Sequence, residues 1–154
     1  MTASRIVRAS LVAGSLVAVL DLAGAMVLAA RHGRTPIQVL HAVASGILRN
    51  DAYAGGMTTA LVGLAIHTGI ALTVATLFML VASRVRMLTR RPWLWGPLYG
   101  LGVWGVMYFV VLPLRWPANF PPTDPEAIAG QLGCHVFLVG LPIAIVASRM
   151  LRRG

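Results

Sequence analysis

Four long apolar runs, roughly Ile6–Ala30, Met57–Ser83, Trp93–Leu114 and Ile128–Met150, take up most of the chain. Each can cross a hydrocarbon core about 30 Å thick at about 1.5 Å of helix rise per residue. The pattern predicts an all-α integral membrane protein, an antiparallel bundle of four transmembrane helices. No connecting segment exceeds 26 residues. A separate soluble domain of about 100 residues has no place to form, so 1–154 is read as one membrane domain.

The link between the first two runs carries a second, shorter pattern. Thr35-Pro36-Ile37-Gln38 has the chemistry of a helix start, with an N-cap threonine, proline at the first helical position and glutamine where a capping box places it. A helix over about 36–50 is predicted. Its apolar face is Ile37, Leu40, Val43, Ala44, Ile47 and Leu48, with Gln38, Ser45 and Arg49 opposite, and Gly55-Gly56 then allows a sharp turn. Such a segment is expected to lie flat on the outer membrane surface, or to cap the bundle as a lid. Residues 116–122, rich in proline, read as a stiff extended connector.

Composition agrees with the pattern: 58% of residues are hydrophobic and 11% charged. Charge placement adds an orientation. All thirteen basic residues are arginine. Arg5, Arg8, Arg84, Arg86, Arg90, Arg91, Arg149, Arg152 and Arg153 flank the runs on one side. Arg31, Arg34, Arg49 and Arg115 lie on the other, together with Asp51, Asp124 and Glu126. The positive-inside rule then puts both termini in the cytoplasm of a bacterial inner membrane. Scattered arginines beside lipid do not form a nucleic-acid face, whereas attraction to anionic lipid headgroups follows from them. The first run has basic residues before it and Ala23-Gly24-Ala25 near its end, as a signal peptide would. Asp21 interrupts its apolar region, so the run is read as a retained anchor. Cys134 is the single cysteine and excludes an intramolecular disulfide.

Small residues at helical spacing offer close helix contacts: Gly96 and Gly100, continued by Gly102 and Gly105, and Ala129 and Gly133, continued by Gly140. Pro97 and Pro142 are expected to disturb their helices. Trp93, Trp95 and Trp116 stand where interfacial aromatics belong.

The candidate chemistry is a buried polar layer. Asp21, His67 and His135 all fall about 12–15 Å below the outer surface by helix rise, and Tyr108 lies about a third of the way down the third run. Ionisable groups at that depth normally face the bundle interior and one another. The plainest reading is that they hydrogen-bond across helices and fix register. Alternatives are a b-type haem held by His67 and His135, a proton or small-solute path with Asp21 as the titrating group, and a non-haem metal bound by two histidines and a carboxylate. His32 and His41 lie outside the runs and are expected to be solvated or interfacial. Cys134 is expected to serve packing. Val81-Ala82-Ser83-Arg84 and Val146-Ala147-Ser148-Arg149 end the second and fourth runs, a weak echo of two helix-pair repeats.

Four segments, HAVASGILRNDAYAGG (41–56), ALVGLAIHTGIAL (60–72), GPLYGLGVWGVMYFVVLPL (96–114) and HVFLVGLPIAIVAS (135–148), carry a resemblance to a group of uncharacterised four-span bacterial inner-membrane proteins. The resemblance covers most of the chain and implies a four-helix inner-membrane protein without bringing catalytic residues. Nucleophile–base motifs, phosphate loops and paired carboxylates are missing, which argues against an autonomous enzyme. The function expected is a small accessory or scaffold subunit of a larger membrane assembly, with a membrane-protein partner or further copies of itself. A bis-histidine electron carrier and a proton-coupled transporter are the alternatives.

Overall fold

A computed structural model describes residues 2–152. Arg153, counted above among the arginines flanking the runs, lies outside them. Six helices follow in order: α1 Ala3–Ala30, α2 Pro36–Leu48, α3 Gly56–Arg84, α4 Arg86–Arg90, α5 Pro92–Arg115 and α6 Pro125–Leu151. α1, α3, α5 and α6 are long and apolar enough to cross a membrane. The chain is an all-α, multi-pass membrane bundle, with span boundaries within three residues of those predicted.

Local chemistry explains the boundaries. The Thr35–Gln38 capping box forms, with the Thr35 amide donating to Gln38 Oε1 at 2.9 Å. Asp124 caps α6 by accepting from the Ala127 amide at 2.9 Å. Gly56 turns the chain from the 3₁₀ segment Arg49–Tyr53 into α3 with φ of 55°, a conformation that suits a residue without Cβ.

Three pairs of spans pack most closely, α3 against α1, α1 against α6 and α6 against α5, each antiparallel, and toward the termini side α3 also meets α6 and the Tyr99 side chain of α5. Both termini lie on one side of the bundle, with α4. The opposite side carries α2. The apolar core fills the termini half and consists mostly of small residues: Ala9, Ala13, Ala75, Ala144 and Ala147 are fully buried, with Met79 and Ile143 as the large fillers. Small side chains let helices approach where hydrophobicity cannot drive them together, since lipid is as apolar as the core.

Gly96, Gly100 and Gly140 form a close contact between α5 and α6. A Cβ on Gly100 would collide with the His135 carbonyl oxygen, and one on Gly140 with the Gly96 carbonyl oxygen. Gly102, Gly105 and Gly133, expected to extend these stripes, face open space.

The proline disturbance takes a specific form. Two π-helical segments, Met107–Val111 and Cys134–Gly140, each end two residues before a proline, Pro113 and Pro142. Proline has no N–H to give to the carbonyl four residues earlier. A wider turn just before it re-pairs the carbonyls so freed, and π segments arise where an α-ladder is interrupted in this way. Pro97 stays inside regular helix.

α2 does not simply lie flat on a surface. It packs into the bundle against α3, where the Leu40 carbonyl touches Gly63 so closely that no Cβ would fit. Its buried stripe is rotated from the apolar one: His41, Ala44 and Ser45 are buried, while Ile47 is 69% exposed.

Candidate polar layer at mid-span

Three buried apolar residues mark the upper edge of the core: Val17 on α1, Ala71 on α3 and Val139 on α6. One helical turn further toward the α2 side, four residues away in each helix, stand Asp21, His67 and His135. Across α1, His67 meets Ala18 while Cys134, beside His135, meets Gly24, so the three residues are spread over about two turns of that helix.

His67 reaches α1, where Nε2 donates to the Ala18 carbonyl at 3.1 Å and lies 4.0 Å from Asp21 Oδ2. The carbonyl can only accept, so this nitrogen carries the proton. His135 donates from Nδ1 to the Gln131 carbonyl one turn back in its own helix, at 2.9 Å. Its ring meets Tyr108 edge-on, with centroids 5.7 Å apart. Both Tyr108 and His135 lie within the π segments.

The layer is therefore two pairs, Asp21–His67 within the α1–α3 hairpin and Tyr108–His135 within the α5–α6 hairpin. The α1–α6 contact joins them: Gly24, one turn from Asp21, faces Cys134 Sγ and Leu138. Cys134 packs there on α1, as a structural thiol would. The two hairpins echo each other, each histidine serving its own hairpin partner. Bis-histidine haem ligation is not supported by this arrangement, because His67 turns Nε2–H to Ala18 and Asp21 while His135 faces Tyr108. Among the described residues, no three His, Cys, Asp or Glu side chains come together as metal ligands.

Several residues belong to the layer without having been anticipated. Trp104 stacks on Tyr108 with centroids 5.7 Å apart. Trp104 Nε1 and Gln131 Oε1 are buried polar atoms without hydrogen-bond partners. Both sit one turn from a layer residue, Trp104 before Tyr108 and Gln131 before His135, and that spacing was the available signal. His41, expected to be solvated, is buried instead, with Nε2 donating to the Gly56 carbonyl at 2.8 Å. His32 is exposed, as expected.

α2 forms the roof. Gly63, which it touches, is one turn above His67. On the far side Arg115 at the end of α5 donates from Nε and Nη2 to the Ser45 carbonyl, at 3.3 and 3.1 Å. α2 thus spans the bundle end from α3 to the end of α5.

Among protein-family models, characterised proteins and solved structures, none matches this chain.

Proposed function

We propose that this chain is a small subunit of a larger membrane assembly, accessory in kind, in which the Asp21–His67 pair exchanges a proton at mid-membrane. The observation that supports this reading is the pair itself. A carboxylate and an imidazole on different spans approach to 4.0 Å in a level where an ionised aspartate costs about 2.5–3.5 kcal/mol on insertion scales. Proton transfer between them neutralises both, so the pair can hold or release charge without leaving the bundle.

Partial exposure of the pair favours an assembly over a lone bundle. The Asp21 and His67 side chains remain 20% and 14% exposed within the single chain. At that depth the exposed edge meets lipid unless a second protein surface, from another subunit or another copy, covers it. We further propose a bacterial inner-membrane location with both termini cytoplasmic, on the strength of the arginine asymmetry.

Two experiments test the reading. Purification from the native membrane in mild detergent should recover a partner or an oligomer, and a bare monomer would count against assembly. Reconstituted with its partners in vesicles, the wild type should dissipate an imposed pH gradient, followed with an entrapped pH dye, and Asp21→Asn should not. Equal flux from both proteins would falsify the proton role.

A further inference from the structure

On the termini side two apolar grooves share a wall. One, of about 420 Å³, runs between Ile6 of α1 and the end of α3, and is lined by Leu80, Ser83 and Arg84. The other, of about 370 Å³, lies between α3 and α5, walled by Phe78, Trp95 and Tyr99, with Leu88 of α4 as a further wall. Val81 lines both and is 53% exposed. The grooves therefore flank the last turns of a single helix.

The rim is strongly and one-sidedly charged. Arg84 lines the first groove directly, and Arg86, Arg90 and Arg91 follow within seven residues, all exposed. No acidic residue occurs anywhere between Asp51 and Asp124. These guanidinium groups have no counter-ion in their own segment, and an arginine fork is suited to a phosphate.

We propose that the two grooves bind one anionic phospholipid, its two acyl chains straddling Val81 and its phosphate held by Arg84. Charge and direction both fit: from the arginine end, marked by Arg84 and Leu88, the shared wall runs inward through Val81 to Leu77, as an acyl chain descends from its headgroup. The inference is independent of the proton reading, since it involves neither the polar layer nor its neighbours.

The test is native mass spectrometry of the full-length protein released from a nonionic detergent containing equal phosphatidylglycerol and phosphatidylcholine of the same chains. The wild type should retain one phosphatidylglycerol in preference to phosphatidylcholine. Arg84→Gln, a change at an exposed side chain, should cut that preference about fivefold, the effect of one interfacial arginine. Val81→Trp should lower retention of both lipids by filling the shared wall. Single-chain lysophosphatidylglycerol should compete poorly. Equal retention of the two headgroups by the wild type, or an undiminished preference in Arg84→Gln, overturns the anionic site. Equal competition by the single-chain lipid overturns the straddling arrangement.

Discussion

Asp21 and His67 meet through a nitrogen that already has an acceptor: His67 Nε2 donates to the Ala18 carbonyl at 3.1 Å while Asp21 Oδ2 stands 4.0 Å away. Ala18 and Asp21 are adjacent turns of one helix face, so a small ring rotation passes the N–H from carbonyl to carboxylate. The imidazole is held ready beside the acid without being locked to it.

Removing either member should therefore have unequal effects. His67→Ala leaves Asp21 without its neighbour and should destabilise the bundle by about 1–3 kcal/mol, the cost of an unpaired buried polar group. Asp21→Asn keeps the shape and the Ala18 bond, and should change stability far less. Thermal unfolding of both variants in one detergent, followed by circular dichroism, checks the order.

Close backbone approach gives a second expectation. Gly63→Val and Gly100→Val each place a side chain where a neighbouring carbonyl oxygen sits, Leu40 in one case and His135 in the other. Overpacking of this kind costs about 1–3 kcal/mol. Gly102→Val, which faces open space, should be close to neutral and serves as the control.

The roof should loosen when its tether is cut. Arg115→Ala removes two hydrogen bonds to the Ser45 carbonyl. A loss of about 1 kcal/mol, modest because the arginine is only partly buried, should appear as faster protease cleavage in 49–55 with the four spans intact.

Tyr99→Phe deletes a hydroxyl that donates to the Val74 carbonyl at 2.7 Å, a polar contact holding α5 to α3 near the second groove. About 1 kcal/mol should be lost. The ring itself stays against Phe78, with centroids 4.9 Å apart, so the helical content should not change.

Spans and their depth could be read from the sequence because both depend on length and hydrophobicity, which lipid enforces strictly. That Asp21, His67 and His135 fall inside their spans followed from residue counts alone. Helix facing was harder. On α2 the apolar stripe named Val43 and Ile47, yet Ile47 faces outward and His41 and Ser45 turn inward. The reason is that polar partners make their burial favourable: the Gly56 carbonyl accepts from His41, and the Ser45 hydroxyl donates to the Ala42 carbonyl and accepts from Tyr53. Gly102 and Gly105 pack on nothing because, two and five residues past Gly100 in regular helix, they stand about 200° and 140° round the axis from it, and Gly133 because the π segment between it and Gly140 breaks their shared face. Trp104 and Gln131 went unnoticed because neither is ionisable, although each stands one turn from a residue that is.

The close pairing of α3 with α1 and of α5 with α6 has a bearing on how the chain is built. Spans one and two form one antiparallel unit, spans three and four another, and α1 with α6 makes most of the seam between them. The chain crosses that seam only once, at Val85–Arg91. Two separately translated halves, each able to enter the bilayer as a complete pair, contain all the surfaces needed to find one another. The gene could thus be divided at that point and the product recovered by co-expression.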